Sequence, residues 1–412
     1  MGMKHTVKKF LRVLACRTFL APKSFEFPPT GINSIDCQWQ QVTPLLNSSN
    51  NVFRIETDGK VLYFRECKTH KEIHAYVADE IDFYYSILRP ELQEDRLFVE
   101  KKLSDKRKFK LFINMGMTND MSSGAYHFCM GDGGEYIGLD GASPAQEERL
   151  KDFVQYIWGN LFAYTLNSGI KIGHYQTYNA CRSIAFRRMA ELLKVENLIP
   201  PTYYAWLHID RVGDLFGTVM EQAPGECMDD EDNKRRKEVC SPALQRSLAQ
   251  LNLLDVLCQE KDHRIDNYHV VIENGYASYV TAFDNDSPAS FGVGGITFTT
   301  YMGCSPWAYG KKLNRPYVDK TLADAVMQID DKTLRQSMNG LLNCFQMAAL
   351  RKRIKKVKTV LASAEDSVML RKEQWSKDTI SKELSGEYGE TYLSKFVQEH
   401  KHMSQPWIKE SQ

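Results

Sequence analysis

The hydrophobic pattern over residues 38–65 reads as strand, loop and strand: QWQQVTPLL, the polar loop NSSNN, VFRIET, a turn at Asp58–Lys60, then VLYFR. Two apolar runs on either side of Asp-Gly predict an antiparallel hairpin. From His70 to Leu88 the apolar positions Ile73, Val77, Ile81, Tyr84 and Leu88 recur at helical spacing, so a helix follows the hairpin directly. Residues 89–145 mix a basic stretch, Lys101–Lys110, with glycines at 131, 133, 134, 138 and 141, and read as an irregular insertion. Helical patterns resume at Pro144–Leu166 and at Tyr178–Lys194, where Cys181, Ala185, Met189 and Leu192 mark one face. Past a turn at Pro200-Pro201 come two strands, TYYAWLHID and LFGTVMEQ, ended by APGE. Ser241-Pro242 supplies an N-cap and a first-turn proline for a helix through Leu244, Leu248, Leu251, Leu254 and Leu257, which should be deeply buried. Short strands YHVVIE and YASYVTAF follow, and Leu322–Ala364 is helical again.

Composition adds limits to this α+β order. A chain of 412 residues suggests two or three domains, or two lobes. Lys and Arg total 53 against 52 Asp and Glu, a net charge of +1, so no bulk field argues for nucleic acid. The 10 cysteines are too widely spaced for CxxC zinc or redox sites and read as reduced, mostly buried thiols, which suits a cytoplasmic protein. The N-terminus, MGMKHTVKKFLRVLACRTFL, has too short an apolar run for a secretory signal. It fits M-G-x-x-x-T through Gly2 and Thr6, a pattern that also arises by chance, and the preferred reading is a basic helix lying on a surface.

Chemistry concentrates in KDHRIDNYHVVIENGYASYVTAFDND, residues 261–286. Phosphoryl transfer from ATP needs oxygen ligands for magnesium and a carboxylate that orients the acceptor, held at rigid strand ends. Asp262, Asn267 and Asp284 have the right types and setting. Asp262 and Asp266 could instead build an Asx turn, and Asp284–Asp286 cap the next loop, and spacing alone favours that. On the helix after the hairpin, Ile73, Val77, Glu80, Tyr84 and Ile87 fall on one stripe, so Glu80 points where apolar groups point. An inward carboxylate wants a cation, and Arg65 or Lys68 could supply it; the alternative is a Glu80 at the stripe's edge reaching solvent. The run Arg351, Lys352, Arg353, Lys355, Lys356, Lys358 reads as a solvated helix face, leaving weak contact with an anionic membrane surface open. The patch MGDGGEYIGLDG lacks a G-x-G-x-x-G frame and reads as a loop.

The aspartate-His-Arg-x-x-Asn pattern at 262–267, followed by an aromatic, a hairpin and Asp284, resembles the catalytic and metal-binding loops of the phosphoinositide 3-/4-kinase-like superfamily, which includes the actin-fragmin kinase and HipA-type kinases. NNVFRIETDGKVLYFRE resembles that family's nucleotide-covering hairpin, MAELLKVENLIPPTYYAW its helix-to-strand passage, and GTVMEQAPG its adenine-holding strand and hinge. PYVDKTLADAVMQID with LRKRIKKVK resembles the helical C-terminal lobe. The pieces come in the family's order over roughly half the chain.

The resemblance implies a two-lobed, protein-kinase-like α+β fold, a strand-rich N-lobe with a long insertion and a helical C-lobe, and ATP with magnesium as cofactors. Residues 1–35 would be a basic N-terminal segment, 36–222 the N-lobe with its insertion at about 89–175, 223–364 the C-lobe, and 365–412 a helical extension. Asp262 would orient or deprotonate the acceptor hydroxyl, and Asn267 and Asp284 would hold magnesium. Met220, Glu221 and Gln222 would flank adenine; Ser48, Ser49 and Asn50 would cover the phosphates; Arg65 would stand in the strand position of the family's lysine, with Glu80 as its carboxylate. The function implied is a kinase acting on a hydroxyl of a protein or an inositol lipid. Arginine is no geometric equal of lysine, which keeps two alternatives open: a nucleotide-binding pseudokinase serving as an interaction module, or nucleotidyl transfer from the same residues.

Overall fold

The computed structural model describes residues 33–45, 52–57, 59–66, 78, 80–103, 143–146, 149–150, 152–153, 156, 179–227, 239–260, 263, 267–274, 276–285, 290–292, 299–300, 303–304, 317–387 and 391–399. They form a mixed α+β fold whose chain divides into two compact units, each assembled from separate stretches.

The strand-rich unit takes residues between 32 and 172 and between 204 and 219. Its sheet runs β1-β5-β6-β4-β3-β2, from β1 (Asn33–Cys37), β2 (Val42–Pro44), β3 (Val52–Thr57), β4 (Lys60–Glu66), β5 (Thr202–Ile209) and β6 (Gly213–Glu221). The expected hairpin is β3–β4, antiparallel from Val52 opposite Arg65 to Thr57 opposite Lys60. Gly59 closes it at φ +73, the left-handed region that glycine enters without strain. β1 pairs in parallel with β5, Asn33 opposite Ala205. One face buries Phe53, Ile55, Phe64, Ala205, Leu207, Ile209 and Val219. Phe83 meets Phe53 edge-on at 6.1 Å, bringing the helical residues 80–83 onto this core. Those residues run into a π-helical turn, Tyr84–Leu88. β6 approaches β4 so closely that a Cβ on Gly217 would overlap the Arg65 carbonyl oxygen.

The start of the supposed irregular insertion is helical instead: Pro90–Leu92 is a 3-10 turn and Gln93–Leu103 an α-helix, α1. A proline at the first position and acidic residues Glu94 and Asp95 in the first turn favour a helix start, a local signal outweighed in the sequence reading by the basic residues downstream. Buried Asp95 is met by Arg149 at 2.8 Å and by the Gln146 side chain at 2.8 Å, and these bonds outweigh burial and lower its pKa. The glycine patch lies outside the described residues.

The helical unit takes the described residues from 179 to 203 and from 220 onward. α2 (Asn179–Leu192), grouped by the sequence reading with the strand-rich lobe, belongs here. Its buried face, Ala185, Phe186 and Met189, has a partner in α3 (Pro242–Cys258). That helix is the axis of the unit: every residue from Leu251 to Cys258 is buried. Its start is the one expected, since the Ser241 hydroxyl accepts from Leu244 N and donates to Ala277 O at 2.8 Å. A four-stranded sheet, β7-β9-β10-β8, comprises β7 (Glu226–Cys227), β8 (Val239–Cys240), β9 (Tyr268–Glu273) and β10 (Tyr276–Ala282), the last packed on α3. Two-stranded pairs join β11 (Thr299–Thr300) to β12 (Gly303–Cys304) and β13 (Val318–Asp319) to β14 (Met369–Leu370).

The expected helical stretch after Leu322 is three helices: α4 (Lys320–Gln328), α5 (Asp331–Ser337) and α6 (Cys344–Ala362). Side chains of Asp319, Asp330 and Asn343 cap their N-termini, so each break carries its own restart signal. α7 (Lys377–Leu384) and α8 (Tyr392–Glu399) pack on α3, within the same unit. Among the described residues Cys37, Cys181, Cys258 and Cys344 are free thiols, the first three buried. Among those residues, too, no helix is long and apolar enough to cross a membrane.

Candidate functional site

The helical unit gathers the chemistry at one end of the β9–β10 hairpin. β9 and β10 pair as far as Tyr268 opposite Ala282, and Phe283 N donates to Asn267 O at 3.0 Å, extending the ladder by one rung. Asn267, just before β9, and Asp284, two residues after β10, therefore leave the hairpin at the same end. Asn267 is buried and Asp284 half-buried. Asp284 holds φ +58, the left-handed region that costs most side chains energy and that Asp tolerates better than most. Asp262 lies outside the described residues.

His263, its neighbour, is described and is the best-connected side chain of the group. Nδ1 lies 2.8 Å from Asp255 Oδ1, on α3, and Nε2 lies 2.6 Å from Asn285 Oδ1. Asn285 Nδ2 donates to Ala282 O at 3.3 Å, so Oδ1 faces His263 as an acceptor and Nε2 carries a proton. The carboxylate at Nδ1 calls for a second. Burial pushes this imidazole down, but Asp255, Glu260 and Asn285 outweigh it and raise its pKa to about 9. Burial raises Asp255, against the pull of His263 and of the Tyr392 hydroxyl, which donates to Asp255 Oδ2 at 2.8 Å. The ring edge of His263 sits 5.6 Å from Phe186 of α2.

Two further ties hold the segment that follows Asp284. The Ser290 hydroxyl donates to Glu260 and Phe291 N donates to Cys258 O at 2.6 Å. Arg353 of α6, fully buried, donates to Leu257 O, Gln259 Oε1 and Gly292 O at 2.8, 3.1 and 2.8 Å. Burial lowers its pKa to about 10. The solvated-face reading of the basic run therefore fails at this residue: Arg353 lies on the inner face of α6 with Leu350, Ile354 and Val357. Lys358 is also turned to main chain, donating to Met327 O and Ile329 O, and Arg351 pairs with Asp331. Lys352 and Lys355 are exposed.

The segment proposed to flank adenine leads into β7, which pairs with β9. Met220 and Glu221 end β6 half-buried, and Gln222 is exposed. Ala223 O accepts from His269 Nδ1 at 3.1 Å, and Glu226 of β7 lies opposite Val270. Gly225 makes the close approach possible: at φ +94, its Cβ would stand 2.6 Å from Val270 O. Met220–Gln222, Asn267 and Asp284 fall in one unit, although Met220 and Glu221 end a strand of the six-stranded sheet while Asn267 and Asp284 flank strands of the four-stranded one.

In the strand-rich unit, Arg65 stands half-buried on β4 opposite Val52. Glu80 is fully buried, the inward of its two expected orientations, and the Tyr156 hydroxyl donates to its Oε2 at 2.5 Å. Tyr84, Tyr85, Phe153 and Tyr156 form a ring cluster there, with centroids 4.9–5.2 Å apart. Ser48, Ser49, Asn50 and Lys68 lie outside the described residues.

Asp255, His263 as a charged centre, Asn285, Arg353 and Tyr392 were not singled out for these roles in the sequence. Asp255 left a trace, a carboxylate on a helix otherwise read as buried. The amide and carboxylate of Asn267 and Asp284 are hard oxygen donors of the kind magnesium takes, with phosphate and water completing its shell. Among the described residues no group of three or more His, Cys, Asp or Glu could hold a metal by itself. No protein-family model matches the chain, and no curated protein matches it.

Proposed function

We propose that the chain is an ATP- and magnesium-dependent phosphotransferase of the two-lobed, protein-kinase-like type, acting on a hydroxyl of a protein or an inositol lipid. The observation that supports it most is the shared exit of Asn267 and Asp284 from one hairpin end, with Asp284 in a left-handed conformation. Asn267 and Asp284 would hold magnesium, and Asp262 would orient or deprotonate the acceptor. The metal, when bound, offsets phosphate charge. Met220–Gln222 would flank adenine, and Ser48–Asn50 would cover the phosphates. Arg65 would keep a positive charge at the position of the family's lysine, with Glu80 as its proposed carboxylate, and it motivates a second reading: nucleotide binding without turnover, or transfer of the nucleotide rather than phosphate.

Thermal unfolding with and without ATP and magnesium tests the site, because a ligand that binds only the folded state raises the midpoint. The expected outcome is a magnesium-dependent rise in the wild type that is lost in Asp284→Asn; an equal rise in the variant removes Asp284 from the site. Asp262→Asn should keep the rise and lose turnover. Product mass separates phosphate from nucleotide addition, and a rise without any product favours the pseudokinase.

A further inference from the structure

Four side chains from four parts of the helical unit form one unbroken chain of contacts. Tyr392, on α8 near the C-terminus, donates to Asp255 on α3; Asp255 meets His263; His263 donates to Asn285, the residue after Asp284. All four are buried. α8 touches the hairpin a second time, where Phe396 stacks on Tyr268, the residue after Asn267, at 6.4 Å. The helix α8 thereby reaches the neighbour of Asn267 through one contact and the neighbour of Asp284 through three.

We infer that His263 is a positioning residue that sets Asp284 through Asn285, and that α8 sets His263 through Tyr392 and Asp255. This rests on the proposed nucleotide site. The geometry favours it over a merely space-filling histidine on two counts. A core histidine needs one partner for its donor and tolerates an apolar neighbour at the other nitrogen, whereas here Nε2 donates to Asn285 Oδ1 and Nδ1 faces the Asp255 carboxylate at 2.8 Å as an ion pair. Asn285 is also the residue that leaves the left-handed Asp284, and a turn held in that region persists only when its neighbours are fixed. Partners one shell out from a metal ligand fix its orientation and change metal affinity when removed. The regulatory consequence is that a bound protein that lifts α8 away loosens the proposed magnesium ligands without touching them.

The test titrates magnesium at fixed ATP, reading nucleotide binding well below the unfolding midpoint so that only folded protein is scored. Asn285→Ala should raise the magnesium needed for half-saturation about 10-fold. Asn285→Asp, which keeps an oxygen toward His263, should recover most of that loss. Tyr392→Phe, which removes one hydroxyl and keeps the ring, should shift half-saturation the same way by a smaller factor. Wild-type magnesium dependence in both Asn285→Ala and Tyr392→Phe overturns the inference. Hydrogen exchange without nucleotide decides it independently: in Tyr392→Phe, amides of residues 283–285 and 290–292 should exchange faster while β9 keeps its protection, and unchanged exchange there overturns the inference. If the wild type shows no magnesium-dependent ATP binding, the functional reading falls, and the exchange result alone then judges the positioning role.

Discussion

His263 carries a proton in a place that excludes water, and its stability effect follows from which state holds that proton more tightly. In the unfolded chain the imidazole releases it near 6.5; in the fold, burial pulls that value down, but Asp255 and its neighbours raise it to about 9. A raised histidine contributes stability that is fully present below 6.5 and is lost as pH rises through about 9. Unfolding by urea should therefore give a stability that declines across that window by on the order of 3 kcal/mol. In His263→Gln the decline should flatten; a wild-type slope in that variant would place the titration elsewhere. Glu80 belongs to the same scale and shows what a single residue can disclose. Its place on a stripe of apolar residues was visible in the sequence, because helical periodicity is local. Its partner Tyr156 was not, because they lie 76 positions apart.

Whole elements were legible where their signals are short-range. The β3–β4 hairpin followed from its turn, and α3 from Ser241, Pro242 and its leucines. What escaped was a close approach between strands distant in the chain. Gly217 on β6 faces the Arg65 carbonyl of β4 with no room for a methyl group, and that carbonyl is backbone with nowhere to move. Gly217→Ala should cost about 3 kcal/mol or more by overpacking, read as a lower urea midpoint. A normal midpoint would mean that the two strands can separate without loss. Charge runs mislead for a related reason. A helix with six basic residues in eight positions reads as solvated until its packing is known, and Arg353 lies on the one face of α6 that is not. Arg353→Met would leave Leu257 O, Gln259 Oε1 and Gly292 O without their donor. The expected loss is about 3 kcal/mol, measured by chemical denaturation, with faster exchange at residues 290–292. A loss within experimental error would show that water can take over the three bonds.

At the scale of the molecule the α+β class was legible from the order of strand and helix patterns, but the membership of each unit was not. α2 precedes the turn at Pro200-Pro201, as a strand-rich lobe's helix would, yet its buried face needs α3, which comes some fifty residues later in the chain. The same non-locality hid the Tyr392–Asp255 contact, which spans 137 positions. The strand order β1-β5-β6-β4-β3-β2 carries a consequence of its own. Two of its inner strands, β5 and β6, are the last of the sheet to leave the ribosome, emerging after residue 202, while β1 and the β2–β4 meander have been waiting with their inner edges open since residue 66. Translation at about 5–20 residues per second makes that a wait of many seconds. Through it, the bonding edge of β4 stands unpaired, the kind of edge on which nascent chains pair with one another. This sheet, whose β5 and β6 arrive long after their neighbours, is therefore a place where synthesis gains from a chaperone's cover.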